Sequence, residues 1–289
     1  MDIKVEKNNI ILHNVPDFDL THIFECGQAF RFDKVDTNTY AGVAFGKALT
    51  VSQSDDSVIL YNTSYEDYKT VWHSFFDLDN DYSKIKSSLA CDDYMQEATA
   101  FGNGIRILRQ DLWETIISFI ISASNNVPRI KGIIERLCQN FGDEIKYMNN
   151  TYYSFPTPQK LASLSLEDLS VIRAGFRDKY ILDAAKKIYS GEILLDDIKS
   201  MSTPDAKNAL MRINGIGNKV SDCILLFGLG RQDSFPVDVW IKRIMEYCYF
   251  DTEQPISVIS EYAEKKFGVL GGYAQQYLFF WAREKKIGI

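Results

Sequence analysis

The sequence predicts an α+β fold, with an N-terminal antiparallel β-sheet lobe followed by a mostly α-helical domain. Three observations predict it. The first sixty or so residues hold short segments rich in Val, Ile, Phe and Tyr, separated by turn-forming residues. From about Tyr65 apolar residues recur every three or four positions instead. The chain of 289 residues has no internal repeat and no low-complexity linker. Because the pattern changes from strands to helices, we expect two lobes, at residues 1–95 and 96–289.

Five segments predict the strands of the sheet. Their turn-forming separators, such as DTNT at residues 36–39, favour antiparallel pairing of neighbours. In chain order the segments read NNIILHNV, QAFRFDKV, TYAGVAFG, ALTVSQS and SVILYN.

Five later segments predict helices. Residues 112–124, LWETIISFIISAS, are almost wholly apolar but too few to span a membrane, which predicts a buried central helix. Residues 127–142 form an amphipathic pattern that ends at Gly142. Two helices begin at Thr157-Pro158 and Thr203-Pro204, where threonine can cap and proline fits the first turn. The last helix covers GGYAQQYLFFWAREKK.

The charge distribution bears on the class of partner. A net charge of −7 speaks by itself against binding to nucleic acid. Residues 1–100, however, carry 8 Lys and Arg against 17 Asp and Glu, while residues 101–190 carry 12 against 9. The acidity is therefore concentrated in the N-terminal third, and the rest of the chain can present a basic face to a polyanion.

The cysteines and the apolar runs indicate the compartment. Five scattered cysteines without a CxxC pair disfavour a disulfide framework, a zinc knuckle or a cysteine-ligated iron–sulfur cluster. No apolar run approaches the ~18 residues of a membrane span, and no apolar signal core follows Met1. We expect a cytoplasmic protein with reduced thiols.

The segment DLDND, residues 77–81, has the alternating carboxylates that begin a calcium loop. Tyr82 takes the place of the loop's glycine and Ser88 that of its final glutamate. We therefore interpret the segment as a solvated turn that connects two helices.

A glycine turn, NGIGN, lies between two helical segments, DAKNALMRI and KVSDCILLFGLG, and predicts a helix-hairpin-helix. We expect the backbone N–H groups of Gly215, Gly217 and Val220 to point outward at the start of the second helix, where the helix dipole favours an anion. This arrangement suits a nucleic-acid phosphate, with or without a bridging cation. A plain helical hairpin is the alternative.

Two chemically active residues follow the turn. Lys219 lies in the first turn of the second helix, where the dipole and partial burial favour a neutral, nucleophilic amine. Asp238 follows Pro236 at the start of a further helix. The alternatives are a phosphate-contacting cation for Lys219 and a helix N-cap for Asp238. A nucleophile and a carboxylate beside a DNA backbone together predict chemistry on the sugar.

The stretch GIGNKVSDC...FPVDV resembles the signature of the helix-hairpin-helix/Gly-Pro-Asp superfamily of DNA glycosylases, and in particular its 8-oxoguanine DNA glycosylase/AP lyase branch. ECGQAFRF, GIRILRQDLWETIISFIISASNN and GGYAQQYLFF resemble further elements of that branch, so the resemblance covers about residues 15 to 285. It implies that Lys219 and Asp238 are catalytic and that the enzyme is bifunctional. It also implies a monomer that requires no cofactor.

The resemblance assigns a pocket for a base flipped out of the duplex. It implies that the carbonyl of Gly27 accepts from the N7–H of 8-oxoguanine, a proton that guanine lacks. Cys223 and Phe279 would hold the base between them, and Gln275 would bond its pairing edge.

The resemblance also assigns contacts to the opposite strand. Arg129 and Arg177 stand where the family keeps arginines for the orphaned cytosine, near Asn125. Three positions depart from the family. Ser124 replaces an asparagine that fills the vacated stack, and Phe176 replaces a wedge tyrosine. Trp240 further replaces a phosphate-binding histidine.

We therefore expect a DNA repair enzyme that excises 8-oxoguanine from duplex DNA and nicks the strand by β-elimination. In a bacterium it would work in the cytoplasm at the nucleoid. Two alternatives remain: a glycosylase for another damaged purine, and a helix-hairpin-helix DNA-binding protein without catalysis.

Overall fold

The computed structural model describes residues 1–287 and has an antiparallel sheet followed by a mostly helical domain, as predicted. The sheet has six strands in the order β1-β2-β6-β5-β4-β3. They are β1 Asp2–Glu6, β2 Asn9–His13, β3 Phe32–Asp36, β4 Thr39–Ala44, β5 Lys47–Gln53 and β6 Ser57–Tyr61. All five predicted strands are confirmed. The sequence did not predict β1, because its five residues are all exposed and carry no buried face to mark.

One face of the sheet packs on aromatic side chains. Along β2 buried and partly buried residues alternate, and Ile10 pairs with Leu60 across the β2–β6 ladder. Trp72 and Phe75 close this core. The short helices of this lobe are α1 Leu20–Glu25, α2 Tyr65–Asp67 and α3 His73–Phe75, with a π-helical segment Tyr68–Trp72 between the last two.

The helical domain is built around α6, Leu112–Ser122, which is buried along most of its length as its apolar sequence predicts. Phe119 of α6 stacks on Phe227 of α13, Asn218–Leu229, with ring centroids 5.4 Å apart. The helices are α4 Tyr82–Leu89, α5 Asp93–Phe101, α6 Leu112–Ser122, α7 Val127–Phe141, α8 Pro158–Ala162, α9 Leu166–Leu169, α10 Asp178–Tyr189, α11 Leu195–Ser200, α12 Thr203–Leu210, α13 Asn218–Leu229, α14 Val239–Tyr249, α15 Ile256–Phe267 and α16 Gly271–Lys285.

Helix caps agree with the sequence with one shift. Thr157 caps α8 as predicted and accepts from the N–H of Lys160. The cap of α12 is Ser202 instead of Thr203, since the Ser202 hydroxyl accepts from the N–H of Asp205. Thr203 is the first helical residue and Pro204 the second. None of the helices within residues 1–287 is long and apolar enough to cross a membrane.

A small hairpin that the sequence did not predict joins the helical domain to the sheet. Its strands are β7 Glu144–Tyr147 and β8 Asn150–Tyr153. The hydroxyl of Tyr147 donates to the carbonyl of Tyr61 on β6, at 2.6 Å, and accepts from the N–H of Thr50 on β5, at 2.9 Å. The two lobes are therefore hydrogen-bonded directly to each other.

The segment at residues 77–81 is not a solvated turn throughout. Asp77 is only 2% exposed. Its carboxylate accepts from Arg109 Nε at 2.7 Å and from the Tyr82 hydroxyl at 2.9 Å. The interpretation was wrong at this residue, because the segment folds back onto the helical domain. Tyr82 also packs in the core of the helical domain, so the chain contributes to that core before residue 96. The predicted boundary between residues 95 and 96 stays a prediction.

Candidate active site

The predicted helix-hairpin-helix is formed by α12, a tight turn and α13. The turn is fixed from inside and outside. Ile213 and Ile216 are buried beneath it, while the backbone N–H and the side chain of Asn214 both donate to Asp183 on α10, at 2.8 and 3.0 Å. Such a turn holds its backbone in one conformation without help from a ligand.

The two glycines of the turn are required for different reasons. Gly215 has φ +88°, and a Cβ there would come within 2.6 Å of the Tyr180 ring, so no other residue fits. Gly217 has φ −102° and open space where a Cβ would lie. Of the two, only Gly215 therefore needs to be glycine because of a positive φ. Gly217 leaves the surface beside the helix start free for a close approach.

The first turn of α13 offers unpaired donors. Gly217 is its N-cap and supplies no side-chain acceptor. Within the helix the first N–H to find a partner is that of Ser221, which donates to the Gly217 carbonyl at 2.9 Å. The N–H groups of the three preceding residues, Val220 among them, have no acceptor within residues 1–287. Unpaired N–H groups at the positive end of a helix dipole form an anion site.

Lys219 and Asp238 line the same pocket. The Lys219 amine lies over the Phe119 ring, 5.5 Å from its centroid, at the start of α13. Asp238 is the N-cap of α14, and its Oδ1 accepts from the N–H of Ile241 at 2.8 Å. The cap interpretation of Asp238 is thus confirmed, and the same carboxylate also faces the pocket.

Cys223 forms part of the pocket wall one helical turn after Lys219. Burial raises the pKa of its thiol to about 11, while the charge of Lys219 acts in the opposite direction and that of Asp238 in the same one. The thiol is therefore neutral at physiological pH, a polarisable surface suited to contact with a base.

Gly27 lies in the loop after α1, with φ +84°. A Cβ at this position would come within 3.3 Å of Phe279 Cε1 and 3.5 Å of Arg283 Nη1, so the loop and α16 are in close contact. The carbonyl of Gly27 accepts no hydrogen bond from any of residues 1–287. A bare, unpaired acceptor therefore borders the pocket.

Gln275 and Phe279 lie one turn apart on α16 and complete the pocket wall. Gln275 is 6% exposed, and its Oε1 has no hydrogen-bond partner. A buried amide oxygen without a partner costs about 1–3 kcal/mol, which is unusual unless a ligand satisfies it. The pocket, of about 50 Å³, opens into a cleft of about 730 Å³ that Lys219, Asp238 and Phe279 also line.

The residues predicted to face the opposite strand do not form one exposed cluster. Phe176 is 57% exposed and Arg129 is exposed as well. Arg177, in contrast, is 2% exposed and donates to three backbone carbonyls, those of Ala123, Ala174 and Ser124. Burial and the nearby Arg129 lower its pKa. Its predicted contact with the orphaned base stays a prediction, and here it caps the end of α6.

The loop that follows α6 holds the other two predicted residues. Ser124 is exposed at φ +49°, a conformation that asparagine tolerates better. Asn125 is partly buried, and its amide donates to the carbonyl of Ile121 at 3.0 Å. Asn125 is therefore engaged in ending α6. Trp240 lines the wide cleft at the start of α14.

Three side chains near the pocket were not predicted. Phe119 lies beneath the Lys219 amine. The amide of Gln276 donates to the carbonyl of Cys26 at 2.8 Å, and Arg283 donates to the carbonyl of Glu25 at 2.5 Å. Gln276, Phe279 and Arg283 lie along one side of α16 at helical spacing. The predicted position of Phe279 could therefore have pointed to Gln276 and Arg283, whereas no such pattern marks Phe119.

The fold and this site define a helix-hairpin-helix protein of base excision DNA repair. The model of the HhH-GPD superfamily of base excision DNA repair proteins matches residues 117–267, and that of the 8-oxoguanine DNA glycosylase N-terminal domain matches residues 10–116. The chain belongs to the 8-oxoguanine DNA glycosylase family of that superfamily, as its motifs predicted.

Three proteins of this kind are similar to the chain over most of its length. The N-glycosylase/DNA lyase of Saccharomyces cerevisiae is 31% identical over 82% of this chain and 69% of its own. The 8-oxoguanine glycosylase/lyase of Clostridium acetobutylicum, solved with DNA containing cytosine opposite 8-oxoguanine, is 40% identical with a TM-score of 0.97 over 99% of both chains. MBOgg1, solved with a low-affinity DNA ligand, is 44% identical with the same TM-score and coverage.

Proposed function

We propose that this protein removes 8-oxoguanine from duplex DNA and then cleaves the strand at the resulting abasic site. The observation that carries the proposal is one pocket in which an amine, a carboxylate and two unpaired hydrogen-bonding groups converge: Lys219, Asp238, the Gly27 carbonyl and the Gln275 amide. The family membership and the DNA complexes of the similar proteins support it.

The unpaired groups of the pocket suit the lesion. The Gly27 carbonyl would accept from N7–H, which guanine does not carry, and the Gln275 amide would bond the pairing edge. Phe279 and the neutral Cys223 thiol would contact the two faces of the base. Extrusion of the nucleotide costs a few kcal/mol of stacking, which these contacts would offset.

The chemistry then follows from the two polar side chains. As the bond from C1′ to the base breaks, the base leaves with the electron pair and positive charge develops on the sugar, where the Asp238 carboxylate stabilises it. The neutral Lys219 amine attacks C1′, and a proton passes from its nitrogen to O4′ as the C1′–O4′ bond breaks, so that the opened sugar is held as a protonated Schiff base. Loss of a proton from C2′ then expels the 3′ phosphate, which nicks the strand.

The hairpin and the opposite-strand residues would place the duplex. The unpaired N–H groups of α13 would hold a backbone phosphate, beside Gly217, with or without a bridging cation. Phe176 would wedge into the stack, and Arg129 and Arg177 would approach the orphaned base. We further propose that the enzyme acts as a monomer on chromosomal DNA in the cytoplasm.

Borohydride trapping tests the proposal. With enzyme in excess over an end-labelled duplex carrying 8-oxoguanine opposite cytosine, we expect a covalent adduct that Lys219→Gln abolishes while lesion binding persists. Lys242 lines the same cleft but pairs with Glu246 and Glu253, so Lys242→Gln is the matched control and should still form the adduct.

Parallel duplexes separate the alternatives. An adduct with an alkylated purine but not with 8-oxoguanine would transfer the activity to another lesion. Free 8-oxoguanine without an adduct would leave a glycosylase without lyase activity, and duplex binding without base release would leave a non-catalytic protein. Any of these three results contradicts the proposal as stated.

A further inference from the structure

The loop that carries Gly27 is held by side chains on both sides of the free carbonyl. Before it, the amide of Gln276 donates to the carbonyl of Cys26 at 2.8 Å, and both groups are buried. After it, the amide of Gln110 donates to the carbonyl of Gln28 at 2.7 Å. The peptide planes that flank the Gly27 carbonyl are therefore both fixed, and only the acceptor between them is left unpaired.

Peptide geometry links the first of these bonds to the acceptor. The carbonyl of Cys26 and the N–H of Gly27 share one rigid plane. Once Gln276 fixes that plane, only the φ and ψ angles of Gly27 decide where its own carbonyl points. Glycine is the residue with the most freedom in those angles, so the loop depends on outside bonds for a unique orientation.

The other side chains of α16 reinforce the same loop. Arg283 donates to the carbonyl of Glu25 at 2.5 Å, two residues before Gly27, and its guanidinium lies 5.5 Å from the centroid of the Phe279 ring. Phe279 in turn lies against Gly27. Gln276 and Arg283 thus hold the loop against the helix that carries Gln275 and Phe279.

The two adjacent glutamines are used in opposite ways. The Oε1 of Gln275 has no partner, whereas the amide of Gln276 is committed to the protein's own backbone. We infer that Gln276, assisted by Arg283, is a positioning residue for lesion selectivity: it aims the Gly27 carbonyl at the proton that distinguishes 8-oxoguanine from guanine. The inference rests on the proposed function.

The test compares Gln276→Leu with Gln53→Leu. Leucine keeps much of the volume and removes the donor. Gln53 also donates to a backbone carbonyl, that of Phe18 at 2.6 Å, and accepts from the N–H of Leu20 at 2.9 Å, but it lines neither the pocket nor the cleft, so it is the matched control. We expect Gln276→Leu to slow single-turnover release of 8-oxoguanine about tenfold, the usual consequence of a lost hydrogen bond to a critical group. Nicking of a preformed abasic duplex, which has no base to read, should stay within about twofold of wild type.

A lesion analogue isolates the positioning role. In 7-deaza-8-oxoguanine carbon replaces N7, so the N–H donor is lost. Duplex affinity is measured in an Asp238→Asn background, in which base release is slow. The ratio of the affinities for 8-oxoguanine and for the analogue should fall toward one in Gln276→Leu and stay unchanged in Gln53→Leu. Arg283→Met should shift it in the same direction and keeps the inference testable if Gln276→Leu does not fold.

Each contrary result has one meaning. An unchanged preference in Gln276→Leu, or equal loss of base release and abasic nicking, would overturn the positioning role. Failure of the wild type to release 8-oxoguanine would instead overturn the proposed function.

Discussion

The proposed lesion pocket and the surface predicted to face the opposite base arrange their polar groups in contrary ways. In the pocket the scaffold around Gly27 is hydrogen-bonded, while the Gly27 carbonyl and the Gln275 amide oxygen are left unpaired. On the opposite-base surface Arg177 is instead occupied with carbonyls at the end of α6. The contrast teaches that the pocket leaves acceptors free for a ligand to fill. On the other surface Arg177 and Asn125 are engaged by the protein itself, whereas Arg129 is exposed.

The largest expected effect separates the two roles of Asp238, as helix cap and as carboxylate of the pocket. Asparagine caps a helix about as well as aspartate but carries no charge. Asp238→Asn should therefore keep its melting temperature while base release falls on the order of 10²-fold to 10³-fold. Asp238→Ala should lose base release and also about 1 kcal/mol of stability. Base release and thermal melting of both variants check this.

If Asp238→Asn kept near wild-type release, the carboxylate would be a cap alone. The pocket would then lack one of its two reactive groups.

The arginines test the other half of the comparison. Arg177→Ala should destabilise the fold by about 3 kcal/mol, because it removes the donor of the carbonyls of Ala123 and Ser124 and of the buried carbonyl of Ala174. Arg129→Ala should leave the free energy of unfolding within about 0.5 kcal/mol, since the side chain is exposed. Urea denaturation of both variants measures the difference in their free energies of unfolding, and their duplex affinities are measured alongside. A destabilised Arg129→Ala would remove the contrast between the buried and the exposed arginine.

The hairpin glycines should separate stability from binding. Gly215→Ala should destabilise the protein by about 2 kcal/mol, through the positive φ and the contact with Tyr180. Gly217→Ala should fold normally and weaken duplex binding, because its methyl group would occupy the approach of the phosphate. Melting temperature and salt-dependent DNA affinity distinguish them. Equal affinity of Gly217→Ala and wild type would place the phosphate elsewhere.

The smallest effect concerns Gln275, whose unpaired oxygen should make the empty pocket costly. Gln275→Leu should stabilise the free protein by about 1 kcal/mol and weaken the affinity for an 8-oxoguanine duplex about tenfold. Thermal melting without DNA measures the gain in stability, and a titration with the 8-oxoguanine duplex measures the loss of affinity. A destabilised Gln275→Leu would mean that the amide is already satisfied.

The sequence predicted the pocket residues mainly because its motifs resemble those of a known family, and only Lys219 and Asp238 were indicated by residue type and position alone. Lys219 and Cys223 are one helical turn apart, as are Gln275 and Phe279, and the structure places all four in one pocket together with Asp238. Local patterns also predicted the helix-hairpin-helix and five strands of the sheet.

Long-range contacts account for what the sequence did not predict. Gln276 acts on Cys26, 250 positions away, and no periodicity marks such a pair. Asp77 is buried only because Arg109 and Tyr82 meet it in the folded chain. Arg177 shows the converse. Its type and its place in the family motif indicate a DNA contact, but in the folded chain its guanidinium donates to the carbonyl of Ala123 at the end of α6.

The start of α13 has a consequence for the protein as a whole. Helices such as α6, α7, α8 and α14 are each capped at the start by a side chain of the protein, whereas α13, like α10, α11, α15 and α16, begins without a side-chain cap. A nucleic-acid phosphate would be the missing cap. Affinity for DNA and resistance to unfolding then become one linked quantity, so that duplex at a hundredfold excess over Kd would add about 2.7 kcal/mol to the folded state. Bound DNA would therefore stabilise the folded enzyme by capping α13.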